Sequence, residues 1–260
     1  MKLLFIGDIV GKSGREIVSS TLSYMKDDYD IIIANGENSA HGKGITFKIY
    51  KQLLSYGIDY LTMGNHTYSK QELSEHIDEM DHLIVPYNHI KRNTDNYYKI
   101  ITCKGITFCL CNILGYAFMN ESSMEPYYAF EKILDETESL PIDFYMVDLH
   151  GEATSEKRLF LEYFKEKARI VIGTHTHVQT ADADLIDHCA FISDVGMCGA
   201  YHSIIGREVD STIETFIRKN PVPYSIAEGP AIFCAVAVTI DEEQKIPIAM
   251  ERIRIRPKEN

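Results

Sequence analysis

Gly173-Thr174-His175-Thr176-His177 carries two imidazoles one residue apart, directly after the apolar run Ala168–Ile172. Alternate side chains of a strand point the same way, so the spacing predicts a strand that delivers both imidazoles from its end. Neutral imidazole is the commonest protein ligand for a transition metal. Four earlier apolar runs also end in ligand-type residues beside glycine: Asp8, then Glu37 and Asn38, then Asn65 and His66, then His150. Any one of these has a plain structural explanation, Asp8 as a turn residue, Asn38 as an Asx turn, Asn65 as a helix cap, His150 as a core histidine. Turn chemistry alone does not make five strand ends behave alike.

Taken together, the residues have the composition of a dinuclear metal site. Mixed nitrogen and oxygen donors suit iron, manganese or zinc better than calcium, and the lack of thiolates argues against a structural zinc site. Two ions roughly 3.5–4 Å apart need a bridging carboxylate and can clamp an in-line phosphoryl displacement. Glu37, between Asp8 and the downstream ligands, is the expected bridge.

These residues need a scaffold that brings strand ends together. Short apolar runs at Lys2–Ile6, Asp30–Ala34 and Tyr60–Met63 read as buried strands. Helical patterns lie between them, at about Arg15 to Lys26 and from a Thr46 cap to about Tyr56. A loop holding Gly11 and Gly14 precedes the first helix, and Ser69 with Glu72 reads as a capping box for a third helix ending near Met80. Strands alternating with helices at this spacing predict βαβ units and a largely parallel sheet, which binds ligands at its carboxyl ends. The middle changes character. Tyr97–Cys103 and Ile106–Ile113 flank Lys104-Gly105 as an antiparallel hairpin. Helices at about Glu125–Glu138 and Ser155–Lys167 enclose the strand Phe144–Leu149. Short strands near Ala190–Ile192, Ala231–Ile240 and Ile246–Ile255 follow, with a helix near Thr212–Lys219. With no repeat and no linker-like shift in composition, residues 1–260 read as a single α/β domain, a mixed two-sheet core with helices outside.

Bulk properties exclude some partners. The net charge of −12, from 26 basic and 38 acidic residues, argues against a dedicated nucleic-acid surface or an anionic-membrane surface. The six cysteines form no CxxC pair and sit mostly inside apolar runs, as small buried thiols of a reducing compartment do. The opening Leu3-Leu4-Phe5-Ile6 is too short for a signal sequence, and no run approaches a membrane span. The expectation is a cytoplasmic, soluble protein. Homo-oligomerisation is left open.

The blocks Asp8, Gly36-Glu37-Asn38, Gly64-Asn65-His66, His150 and Gly173-Thr174-His175-Thr176-His177 resemble those of the calcineurin-like metallophosphoesterases. The opening Gly-Asp-Ile-Val-Gly, and Gly-Glu-Asn in place of the usual Gly-Asp, resemble the YmdB-like bacterial phosphodiesterases in particular, as does Ser193-Asp194-Val195-Gly196-Met197. The likeness runs over essentially the whole chain. It implies a four-layer α-β-β-α sandwich with two central mixed sheets. It also implies that Asp8, Asn38 and His177 hold one ion, that Asn65, His150 and His175 hold the other, and that Glu37 bridges them. Two divalent or mixed-valence transition metal ions, iron or manganese, are the implied cofactors. The implied reaction is attack of a metal-bridging hydroxide on a small phosphodiester, with 2',3'-cyclic nucleotides as the substrate class and His66 as general acid. Val10 stands where the wider superfamily has a histidine, and Glu37 lengthens the usual aspartate arm. The YmdB-like branch shares both departures, and Asn38 is the natural replacement ligand.

Two rival readings remain. Gly7–Ser13 is close to a Walker A loop but has three residues between its glycines where four are needed, which makes Lys12 a loop or rim residue. A non-catalytic metal-binding regulator that keeps the phosphoesterase scaffold is the alternative function, and an intact His66 weighs against it. His41, His76, His82, His89, His188 and His202 have no ligand pattern and read as surface or core. Tyr127-Tyr128 reads as a chance aromatic pair. Asp194 is a candidate for orienting a metal-bound histidine.

Overall fold

The computed structural model describes residues 1–257. Strands that are apolar at every position must be covered on both faces, and the layering follows from that requirement. The first part of the chain runs β1 (Lys2–Ile6), β2 (Asp8–Ile9), α1 (Gly11–Met25), β3 (Ile31–Asn35), α2 (Phe47–Ser55), β4 (Tyr60–Thr62), α3 (Gln71–His76) and β5 (Leu83–Ile84). A second run holds β6 (Tyr98–Cys103), β7 (Ile106–Leu114), α4 (Pro126–Thr137), β8 (Phe144–His150), α5 (Thr154–Phe164) and β9 (Ala168–Thr174). It is followed by β10 (Asp184–Ile186), β11 (Cys189–Ile192), β12 (Met197–Ala200), α6 (Val209–Phe216), β13 (Ala231–Ile240) and β14 (Pro247–Ile255).

Two mixed sheets result. One has the order β2-β12-β13-β1-β3-β4-β5, with β14 added beside β13; β1, β3, β4 and β5 run parallel and β13 antiparallel to β1. The other has the order β10-β11-β9-β8-β7-β6, parallel from β7 through β11 with antiparallel edges.

Alternation assigns the two faces. Leu3, Phe5, Ile31 and Ile33 meet Phe108, Met146, Ile170 and Ile172 between the sheets. Their neighbours Leu4, Ile6, Ile32 and Ala34 pack outward on Val18, Leu22, Leu53 and Leu73 of α1 to α3. Cys109, Cys111, Val147 and Val171 pack outward on Phe130, Ile133, Phe160 and Leu161 of α4 and α5. The fold is a four-layer α-β-β-α sandwich. Each fully buried Leu, Ile or Phe here contributes about 1.5–3 kcal/mol.

The departures from the sequence reading are local. The expected glycine loop before α1 is already helix, and Gly14 serves a close approach: a Cβ there would lie 2.3 Å from the Cys198 carbonyl oxygen of β12. Ser69 does not cap α3. The capping position is Lys70, and the Glu72 carboxylate instead accepts from the Phe47 N–H at the start of α2, 3.2 Å away. Thr46 caps α2 as expected, its hydroxyl oxygen accepting from the Ile49 N–H. The short strands β2, β5, β10 and β12 carry too few residues to show a period.

Candidate metal centre

The parallel strands of both sheets end at the same edge of the sandwich, and the ligand-type residues gather there. Asp8 follows β1 in the short β2, Glu37 and Asn38 follow β3, Asn65 and His66 follow β4, and His150 is the last residue of β8. Strand β9 stops at Thr174, so His175 and His177 lie beyond it, in a loop where both residues take positive φ, +104° and +65°. The two imidazoles are therefore not on one strand face. They point to opposite halves of the site, His175 toward His150 and His177 toward Asp8.

Around His150 the donors converge. Its Nε2 lies 3.2 Å from Glu37 Oε1, 3.1 Å from Asn65 Oδ1 and 3.1 Å from His175 Nδ1. A single proton on Nε2 cannot serve three such neighbours at once, whereas a cation among them can. Glu37, His150 and His175 form a group with metal-ligand spacing. Gly64 makes room for it, since a Cβ at that position would sit 2.3 Å from Glu37 Oε2 and 2.4 Å from His150 Nε2. Behind the imidazole, His150 Nδ1 meets the Thr174 hydroxyl at 2.8 Å, and that hydroxyl donates to Asp148 Oδ1 at 2.6 Å. Asp148 Oδ2 accepts from Thr62 Oγ1 at 2.5 Å and from Asn35 Nδ2 at 3.1 Å. The chain of bonds keeps a proton on His150 Nδ1, so that Nε2 is the nitrogen that gives up its proton to a cation and presents its lone pair to the site.

The other half is looser. His177 Nε2 lies 3.7 Å from Asp8 Oδ1, and His177 Nδ1 donates to the Ile205 carbonyl at 2.8 Å. Asp8 Oδ2 accepts from the His175 N–H at 3.3 Å. Asn38 turns its Nδ2 toward Glu37 Oε1 and the Gly42 carbonyl, each at 3.3 Å. Asp8 Oδ1 and Asn38 Oδ1 are buried with no hydrogen-bond partner among the described residues. Orphaned buried oxygens are costly, and two on facing loops fit an oxygen-seeking cation.

The charges conflict in the same way. Burial pushes the Asp8 carboxyl up to about 7, against the pull of His177 and His150. Burial also opposes charge on His150, but Glu37, Asp8 and Asp148 outweigh it and hold the imidazole up at about 9. Burial would raise Glu37 too; His150 and His66 prevail and bring it down to about 2. His175 is pushed down to about 3 by burial and then by the neighbouring His150. A protonated His150 thus stands where a metal ion would place its charge. His66 hangs on the same carboxylate, its backbone N–H donating to Glu37 Oε2 at 2.9 Å, and burial lowers its imidazole pKa while Glu37 opposes the shift.

The family model of YmdB-like proteins matches residues 4–253 of the chain. The chain belongs to the YmdB-like family. A Bacillus subtilis (strain 168) relative, a 2',3'-cyclic-nucleotide 2'-phosphodiesterase, is 38% identical over 98% of this chain and 97% of its own length. Among solved structures, a hypothetical protein from Thermus thermophilus superposes with a TM-score of 0.91 at 33% identity, covering 99% of this chain and 100% of its own. A Mycoplasma pneumoniae phosphatase gives a TM-score of 0.91 at 30% identity, covering 99% and 94%. As a member of this YmdB-like family, the chain is a phosphoric ester hydrolase.

All eight residues singled out in this YmdB-like sequence reach the one edge, and Glu37, Asn38, His66, His175 and His177 line a common cavity. Asp194 is placed differently from the expectation. It accepts from the Thr176 and Gly196 N–H groups at 2.8 Å each and pairs with the buried Lys157 at 3.4 Å, so it shapes the His175–His177 loop and touches no histidine. Lys12 lies exposed on the first turn of α1, its Nζ 3.6 Å from Glu16 Oε1. Tyr127 packs against Phe160 in the helical layer. Sequence reasoning missed Asn35, Thr62, Asn112, Asp148 and Thr174, a buried polar layer that ties the two sheets together beneath the site. The available signal was a polar residue within an otherwise apolar run. His89, read as surface or core, is buried, its Nε2 3.3 Å from the Asn65 carbonyl; the reading missed Glu152, whose Oε2 lies 3.2 Å from His175 Nε2.

Proposed function

We propose that the chain, acting as one domain, is a dinuclear-metal-dependent phosphodiesterase that hydrolyses 2',3'-cyclic nucleotides. Asp8, Asn38 and His177 would hold one ion, Asn65, His150 and His175 the other, and Glu37 would serve both. The observation that carries the reading is the convergence of Glu37, Asn65 and His175 on one nitrogen of His150, joined by the two orphaned oxygens of Asp8 and Asn38. The nitrogen and oxygen donors, with no thiolate, suit iron or manganese. When bound, such ions supply charge to the phosphate oxygens and bring the pKa of coordinated water from 15.7 to about 7.

The chain's own residues do the rest. The Thr174–Asp148 relay holds His150 in one tautomer, and Glu152 supports His175 from the solvent side. His66 lines the cavity on a backbone fixed to Glu37. Its imidazole protonates the leaving oxygen; burial disfavours its charged form, and the neighbouring Glu37 opposes that loss. The free and largely buried thiols among the described residues accord with a cytoplasmic location. Among those residues no helix is long and apolar enough to cross a membrane.

The test is turnover of bis-p-nitrophenyl phosphate and 2',3'-cyclic AMP by protein stripped of metal and reloaded with manganese or iron. Metal-dependent hydrolysis is expected, with His66→Ala slowing it by about 10²-fold or more while metal content stays unchanged. Two bound ions with no turnover of either substrate would favour a regulatory role.

A further inference from the structure

Arg207 and Tyr224 line the same cavity, of about 250 Å³, as Glu37, His66 and His175, yet neither belongs to the donor set. The Tyr224 ring receives two cations from separate segments. The Arg207 guanidinium carbon lies 4.9 Å from the ring centroid and the Lys43 Nζ lies 5.2 Å from it. Among the described residues neither cation lies within ion-pair distance of a carboxylate, so both charges are free to meet a ligand. On a chain of net charge −12, two cations share one aromatic ring, Arg207 and the ring lining the cavity and Lys43 following the lining Gly42, and this pairing suits an anion.

Both are mounted on frames bonded to the site. Ile204 and Arg207 exchange backbone hydrogen bonds at 2.9 Å each, the Ala227 N–H donates to the Gly206 carbonyl at 3.0 Å, and the Ile205 carbonyl of this turn accepts from His177. Lys43 follows Gly42, whose N–H donates to the Asn38 carbonyl at 3.0 Å and whose carbonyl faces the Asn38 amide. The two long side chains are thus steadied by Tyr224, which reduces the entropy lost when they close on a ligand.

A guanidinium forks onto phosphate oxygens and an ammonium adds a point charge. The scissile phosphodiester carries a single negative charge, which the ions and His66 already meet. We infer that Lys43, Arg207 and Tyr224 form a subsite for a second phosphate of the substrate, on the 5' side of the nucleotide whose cyclic phosphate is hydrolysed. The inference rests on the phosphodiesterase reading and narrows its substrate class. The second phosphate is either a terminal 5'-monoester or an internucleotide diester, and both present the same oxygens.

The experiment compares kcat/KM of the metal-loaded enzyme for 2',3'-cyclic AMP, for its 5'-phosphorylated form, and for the dinucleotide ApA ending in a 2',3'-cyclic phosphate. At least one two-phosphate substrate is expected to exceed 2',3'-cyclic AMP by about tenfold, and Arg207→Met or Lys43→Met should bring that ratio toward one. Preference for the dinucleotide alone assigns the subsite to an internucleotide phosphate; preference for the 5'-phosphorylated form alone assigns it to a monoester. Equal values in the unaltered protein, or an Arg207→Met variant that slows every substrate alike, overturn the inference. Calorimetry reads the subsite without turnover: adenosine 3',5'-bisphosphate should bind the metal-loaded His66→Ala protein about tenfold more tightly than 3'-AMP. If no substrate turns over, the phosphodiesterase reading fails, and this binding ratio still decides the subsite.

Discussion

The half of the site around His150 and the half around Asp8 are held by different means. His150, Asp148 and Thr174 are buried side chains at the ends of adjacent strands, locked by a run of short hydrogen bonds that crosses from one sheet to the other. Asp8 and Asn38 are equally buried, but each leaves an oxygen without a partner among the described residues, and His177 stands 3.7 Å from Asp8 Oδ1. One half is pre-organised by the fold. The other keeps buried acceptors free for a ligand.

Glu37 serves both halves, so its loss has the largest expected effect. Glu37→Ala removes the carboxylate from which His66 hangs and which faces His150. Both ions should be lost, and turnover should fall by at least about 10³-fold. Metal content by elemental analysis, alongside the rate, checks this; a variant that kept two ions would deny Glu37 the bridging place.

The next pair of variants separates the halves. Asp148→Asn leaves the shape but disturbs the acceptor that fixes Thr174 and, through it, the His150 tautomer. Affinity for one ion should fall about 10–100-fold, and the metal-free protein should lose about 1–3 kcal/mol because the buried layer is broken. His177→Ala should also cost one ion, yet shift metal-free stability by no more than about 0.5 kcal/mol. Titration calorimetry and denaturant unfolding read the two quantities. Equal stability losses would erase the distinction between a fold-built half and a ligand-built half.

That distinction also marks what the sequence could show. Asp8, Glu37, Asn38, Asn65, His66 and His150 were legible as candidates because each follows a mostly apolar run, and a run covered on both faces leaves its end free for chemistry. The parallel strands and the helices between them were legible for the same reason. The two-sheet packing that brings Asn35 of β3, Thr62 of β4 and Asp148 of β8 together was not, since hydrogen bonds such as Asn35 to Asp148 span 113 positions. The histidine pair misled in its geometry alone. Strand alternation put both rings on one face, but β9 ends at Thr174 and the positive φ angles of His175 and His177 turn them apart. Glu72 misled likewise, because a capping-box spacing does not reveal that its carboxylate reaches another helix.

The smallest expected effect, and the one that tests the charge balance directly, is the pH dependence of the metal-free protein. Asp8 is raised from 3.8 to about 7 in the fold. Its protonated form is therefore favoured there, and its contribution is complete below about pH 4 and lost as pH rises through 7. His150 is raised from 6.5 to about 9, so its contribution is complete below about pH 6.5 and lost as pH rises through 9. Glu37 is lowered from 4.5 to about 2, a contribution lost only as pH falls through 2 and constant above about pH 5. Two of the three thus act in the same direction over the neutral range. His175, lowered from 6.5 to about 3, acts in the opposite direction below about pH 6.5 and offsets Asp8 there. The Tm of metal-free protein should therefore stay near level from about pH 5 to 6.5 and fall by several degrees from there to about pH 9, with Asp8→Asn turning the level part into a rise and His150→Gln flattening the fall. With ions bound, the carboxylates and the imidazole are deprotonated already and the slope should vanish over the neutral range. Scanning calorimetry of the four proteins decides it: a metal-free Tm that is level from about pH 6.5 to 9 would mean that the buried carboxylates and His150 are balanced by the chain itself, and that the site was built to stand without a cation.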